Sequence, residues 1–261
     1  MPPALMPATL GVQMFTLRKF SQTEKDLDAA LGRIKGIGYR AIQTAAFGDI
    51  PAATVAKLCQ KHDLDIAGSH VSWERFLTDL PSVIEEHRLW NCTHTAVGFI
   101  PPKTYLSLAG LQQFLVELDK VTNALTAAGI DFSYHHHSHE FLHFDNKPWL
   151  RHLLERASSA ALKLELDTHW VVAGGADPAA WINAYGNRMP LLHLKDFRIN
   201  REFKREFAAI GDGNLNWQAI LGAAAQHPIS YYFVEQDSCY GEDEFDCLQR
   251  SYQFLTQFGL S

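Results

Sequence analysis

Carboxylates and imidazoles recur at two-residue spacing in the second half of the sequence: Glu165, Asp167 and His169, then His193 and Lys195, then Glu235 and Asp237. Alternate residues of an extended strand face the same side, so each set presents one polar face. A further group, His135 to Glu140, holds four histidines and an acid in six residues. A carboxylate from one strand end, an imidazole from the next and a carboxylate from a third make a nitrogen and oxygen donor set. Such a set suits Mn2+, Co2+, Zn2+ or Mg2+ and not a thiolate-seeking ion. The plain competitor, for any single acid, is a strand-end residue satisfied by its loop. Four such ends in register on adjacent units favour the ligand set.

Positioning these residues requires strands that end together. Eight short apolar or β-branched runs meet that need: Leu10 to Phe15, Arg40 to Thr44, Asp65 to His70, Thr93 to Gly98, Phe132 to His137, Leu162 to Asp167, Leu191 to Lys195 and Tyr231 to Glu235. Stretches of helical spacing separate them, as in Leu111, Phe114, Leu115, Leu118, Val121 and Leu125, which fall on one buried stripe. A last helix shows Phe245, Leu248, Tyr252 and Leu255 on one face, with Gly259 as its expected C-cap. Gly211-Asp212-Gly213 lacks the third glycine of a nucleotide fingerprint. It reads instead as a turn into a helix that starts near Trp217 and is capped by Asn216.

Repeated β-α units in 261 residues predict a single domain over residues 1–261, a (β/α)8 TIM barrel of roughly 250 residues, with an open doubly wound sheet as the alternative. Active sites of such barrels lie at the C-terminal ends of the strands, where the acids and imidazoles gather.

Apolar residues are 47% and charged residues 20% of the chain, ordinary globular values. A net charge of -6 argues against a nucleic-acid partner or an acidic membrane surface. The four cysteines form no CxxC pair, which fits a reduced, cytoplasmic setting. Residues Met1 to Pro7 show no basic start followed by a long apolar run.

Several stretches together resemble the sugar phosphate isomerase/epimerase family with the xylose-isomerase-like TIM barrel. They are Gly11 to Arg18 (GVQMFTLR), Tyr134 to Phe141 (YHHHSHEF), Leu166 to Val171 (LDTHWV), Leu192 to Asp196 (LHLKD), Ile210 to Trp217 (IGDGNLNW) and Val234 to Asp237 (VEQD). The sequence departs from the usual YHNHDHEF at His136 and Ser138, and has Gln43 where many relatives end strand two with Glu. The resemblance implies one divalent ion (Mn, Co, Zn or Mg) held by Glu140, Asp167, His193 and Glu235, with His137 or His139 as alternatives to Glu140. It also implies that Glu140 and Glu235 exchange protons with a keto sugar or sugar phosphate through an enediolate. His70, His137, His169 and Lys195 would contact substrate oxygens, and Arg198 a substrate phosphate or carboxylate.

The runner-up activity on the same scaffold is a metal-dependent dehydratase or lyase of a cyclic polyol ketone, similar to inosose dehydratase. The histidine run also admits a multi-zinc endonuclease, which the acidic balance disfavours. A sugar-binding protein without catalysis would keep the pocket and need no ion. The expected partner is a small carbohydrate, and barrels of this kind often form homo-oligomers.

Overall fold

The computed structural model describes residues 8–158 and 160–261; the start of the chain, Met1 to Pro7, lies outside the described residues. Eight parallel strands close into a barrel: β1 (Thr9–Gln13), β2 (Ala41–Thr44), β3 (Asp65–Val71), β4 (His94–Val97), β5 (Asp131–His135), β6 (Lys163–Asp167), β7 (Leu191–Leu194) and β8 (Tyr231–Val234). The hydrogen-bonded order is β1-β8-β7-β6-β5-β4-β3-β2, and β2 pairs back with β1. Each strand coincides with an expected run to within two residues at either end. The excess at β1 and β5 leaves the sheet. Phe15 belongs to a short 3-10 helix, Met14–Phe20, and His136 and His137 run on into the loop after β5.

Period-two patterning decides what each strand face buries. Leu164 and Leu166, Leu192 and Leu194, and Tyr232 and Val234 join the large apolar cluster shared with the helices. Leu191 and Phe233 turn inward instead and meet Ala41 and Ala67 in a small apolar plug inside the barrel. Gly11 makes room for that plug, since a Cβ there would stand 2.7 Å from the Phe233 ring. The helix Leu108–Ala127 buries Leu111, Phe114, Leu118, Val121 and Leu125 of the stripe read from spacing and leaves its Leu115 half-buried.

The last helix, Glu244–Thr256, buries Phe245, Leu248 and Leu255 but is capped by Gln257. Gly259, expected as the cap, takes a positive φ of 80° two residues later in the closing turn. Asn216 does cap the helix Trp217–Ala224, accepting from Ala219 N. The Gly211 to Leu215 turn before it is pinned by the buried Asp196 carboxylate, which accepts from Gly211 N (3.1 Å), Leu215 N (3.3 Å) and Trp217 Nε1 (2.7 Å). Asp196 also opens an antiparallel hairpin, Asp196–Ile199 with Arg205–Ala208, that stands over the β6 and β7 ends. Cys59, Cys92, Cys239 and Cys247 are all buried and free. No helix among the described residues is long and apolar enough to cross a membrane.

Candidate active site

Above the apolar plug the barrel interior turns polar. Gln13 Nε2 on β1 donates to Gln43 Oε1 on β2 (2.7 Å), and Gln43 Nε2 donates to Glu165 Oε2 on β6 (3.0 Å). Glu165, fully buried, also meets His70 Nε2 (3.1 Å) and pairs with His193 Nε2. His193 Nε2 lies 2.6 Å from Gln43 Oε1 as well. Its two neighbours are both acceptors, so Nε2 carries a proton. The other ring nitrogen, Nδ1, then faces Glu235 Oε2 at 3.1 Å. Burial opposes charge on every one of these groups. The Glu165 carboxylate, and then that of Glu235, nevertheless lifts His193 to about 10. In return His193 and His70 hold Glu165 well below the usual carboxylate range.

One layer higher lie Asp167, Lys195 and Glu235. Asp167 ends β6 and caps the helix Thr168–Ala173 through Oδ1, which accepts from Trp170 N at 3.0 Å. Its Oδ2 is buried and makes no hydrogen bond. Burial pushes this carboxyl up to about 7, with Lys195 opposing. The Lys195 ammonium is surrounded by Asp237 (2.7 Å), Glu235 (3.1 Å) and Asp167 (3.6 Å). Lys195 and His193 together hold Glu235 well below the carboxylate range despite its burial. The loop after β8 is tied down by Gln236 N donating to Thr16 Oγ1 and Arg18 donating to Asp237 O.

His135, Lys195, Glu235 and Asp237 floor a cavity of about 320 Å³ at the C-terminal ends of the strands, walled by Phe15, Val71, Phe99, His70 and His137. Gly98 leaves space for His70, because a Cβ there would stand 2.9 Å from its Nδ1. A larger depression of about 660 Å³ opens at the opposite end of the barrel, where Asp65 and His94 line it and His94 pairs with Asp131 at 3.8 Å.

Donor atoms of His135, Asp167, His193 and Glu235 all lie within 4.8 Å of one another. A divalent ion fits this set. Asp167 Oδ2 and His135 Nδ1 are buried without hydrogen-bond partners, two carboxylates and two imidazoles suit a borderline cation, and the proton between His193 Nδ1 and Glu235 occupies a place an ion can take. A deeper set, His70, His135, Glu165 and His193, is equally compact, but there His193 Nε2 is already committed to Gln43 and Glu165.

Asp167, His193 and Glu235 are thus brought together as the sequence expects, and Glu140 is not among them. The chain turns after β5, so Glu140 accepts from the Tyr134 hydroxyl (2.8 Å) and His137 N (2.8 Å) and groups with His137 and His139. His135, whose strand alternation points inward, stands in its place. His70, His137 and Lys195 line the cavity. His169 does not line it; its ring is packed by Phe197 and Phe207 and, buried and near Lys195, titrates down at about 3. Arg198 faces away on the hairpin, against Glu206 and Glu242. His136 is structural, with Nε2 accepting from Asp167 N at 3.2 Å. Glu165 and Asp237 are the groups that motif reading passed over, although period-two spacing puts both on the ligand face.

The family model of the xylose isomerase-like TIM barrel matches residues 31–244. Among solved structures, a sugar phosphate isomerase/epimerase from Parabacteroides distasonis superposes with a TM-score of 0.80 at 22% identity, covering 97% of this chain and 95% of that one. An L-ribulose 3-epimerase gives 0.74 at 15% identity over 96% and 94%. The IolI protein with a bound zinc atom gives 0.71 at 14% identity over 96% and 97%. No curated protein sequence matches the chain. At these identities the superpositions speak for the fold, and the family match covers most of the length: this chain belongs to the xylose isomerase-like TIM barrels.

Proposed function

We propose that the protein is an isomerase or epimerase of a small keto sugar, working with one divalent ion held by His135, Asp167, His193 and Glu235. The observation that carries this reading is the compact four-donor set, of which His135 and Glu235 line the barrel-mouth cavity. The L-ribulose 3-epimerase and zinc-bound IolI neighbours support it. When bound, a divalent ion supplies an electrophile for the substrate's carbonyl oxygen and neighbouring hydroxyl.

The chain's own residues do the rest. Glu235, kept ionised by Lys195 and His193, takes the proton from the carbon beside the carbonyl, giving an enediolate that is reprotonated to product. Lys195, shared among three carboxylates, donates to substrate oxygens and moves between acids as charge develops. His70 and His137 reach the same space from β3 and from the loop after β5 and orient the polyol. Phe15, Val71 and Phe99 form an apolar wall that limits water around the reactive intermediate. The Glu140 carboxylate, occupied by Tyr134 and His137 N, is not the second base. The substrate is a carbohydrate rather than a nucleic acid, and four free thiols fit the cytoplasm.

Dehydration is the second reading, and one feature favours it. Asp237 lines the same cavity as Glu235, and burial and the Glu235 charge raise its carboxyl above the usual range, so a second carboxyl group stands beside the base where a leaving hydroxyl would need a proton.

Solvent exchange tests both readings. In D2O, the ion-loaded protein should place deuterium beside the carbonyl of a ketose, and Glu235→Gln should lose at least about 100-fold in that rate. His193→Ala should carry one ion fewer per chain than the native protein. A product lighter by one water selects the dehydratase. No exchange into any ketose or cyclic keto-polyol sinks the enediolate chemistry.

A further inference from the structure

The histidine run is only partly used by the central cluster. His135 points into the barrel and His136 bonds to the β6 backbone. The chain then makes a single 3-10 turn, His139–Phe141, which folds His139 and Glu140 back beside His137. The His137 and His139 rings lie parallel, centroids 5.4 Å apart and planes 10° apart. Donor atoms of His137, His139 and Glu140 all lie within 4.8 Å of one another.

These three residues have the unsatisfied pattern of a ligand set. His137 Nδ1 is buried without a hydrogen-bond partner. His139 Nε2 is 3.1 Å from Glu140 Oε1 yet makes no hydrogen bond. Glu140 is 1% exposed, and among the described residues no lysine or arginine pairs with it. Among these its charge partner is the His139 imidazole alone, and only when that ring is protonated, and a buried carboxylate left without one is costly. Its direction is fixed nonetheless: the buried Tyr134 hydroxyl donates to Oε1 and His137 N to Oε2, each at 2.8 Å. Tyr105 packs on the His139 ring at 4.2 Å and restricts it in turn. Partners that orient ligands in this way are what a metal site needs.

We propose that His137, His139 and Glu140 form a second, separate site for a borderline divalent ion such as Zn2+ at the rim of the cavity. Two imidazoles and a carboxylate with an open fourth position are a zinc-binding combination, and the set shares no residue with the central cluster. His137 also lines the cavity, so an ion here takes that imidazole from the substrate; this consequence, unlike the site itself, rests on the function proposed above. Excess zinc then restrains the enzyme through the rim.

Equilibrium dialysis against Zn2+ with elemental analysis tests the site on the intact chain. The native protein should take up two ions and His139→Ala one, with its fold checked by circular dichroism. The double variant Asp167→Asn, Glu235→Gln should keep one ion, lost when His139→Ala is added. One ion in the native protein that survives His139→Ala overturns the rim site, as do two ions that both survive it. A single ion that depends on His139 and not on Asp167 or Glu235 upholds the rim site and removes the central one.

Discussion

Glu165 never reaches the cavity, yet it governs what His193 can offer there. With Gln43 Oε1 it keeps a proton on Nε2, which leaves Nδ1 for the Glu235 side. Outer partners of this type typically contribute 10- to 100-fold in metal affinity. Glu165→Leu should therefore weaken the central ion by about that factor in a chelator competition, while Glu165→Gln, still an acceptor, should lose much less. Native affinity in the leucine variant would mean that Gln43 alone sets the tautomer. Spacing in the sequence puts Glu165 and Asp167 on one face of β6, though His169, expected with them, lies in the helix that follows; it does not show that Gln43 and His193 close on Glu165, because those contacts cross the barrel interior. The reverse holds for Glu140: the motif names it, and one turn of backbone after β5 carries it elsewhere.

The hairpin after β7 was the element least visible in the sequence. Arg198 was expected to meet a substrate phosphate or carboxylate, but strand pairing sets it opposite Glu206 and turns it from the cavity. The opposite hairpin face puts Phe207 over His169 (4.8 Å between centroids), with the Lys195 ammonium 5.3 Å from its ring. The two faces should respond differently to truncation. Arg198→Ala, removing half-exposed ion pairs, should shift stability by no more than about 1 kcal/mol and leave KM for a ketose unchanged. Phe207→Ala uncovers Lys195 and should raise KM several-fold. Equal effects on KM would show that the hairpin does not roof the site. The barrel strands were readable as short apolar or β-branched runs, because parallel strands covered by helices are buried on both faces. The hairpin strands face the site on one side and ion pairs on the other; Asp196–Ile199 alternates polar and apolar, but over only four residues, and its partner Arg205–Ala208 does not alternate.

The whole molecule keeps several histidines neutral inside. Burial lowers His87 and His136, and brings His137 down to about 4. Unfolded histidines bind protons near pH 6.5, so between about pH 6.5 and 4 the unfolded chain holds more protons and stability falls with acid. His193, raised to about 10, acts in the other direction: its contribution is complete below about pH 6.5 and is lost as pH rises through 10. Thermal unfolding of the ion-free protein should therefore peak near neutrality, with the midpoint dropping by pH 5 and again by pH 10. A midpoint unchanged between pH 7 and 5 would contradict the neutral, buried histidines. At this scale the closed barrel was legible from eight runs and their spacing, while the layering of plug, carboxylate network and ligands was not, since it depends on strand register. The four buried thiols have a practical meaning. Burial lifts Cys59 and Cys92 to about 12; the hydrogen bond with Cys239 shifts Cys247 down, but both of these thiols are shielded with Ala209. Maleimides should thus leave the folded protein unmodified. A cysteine introduced at Phe203, 91% exposed at the hairpin tip, would then carry a fluorophore alone, and its emission would report whether the hairpin shifts when a sugar enters.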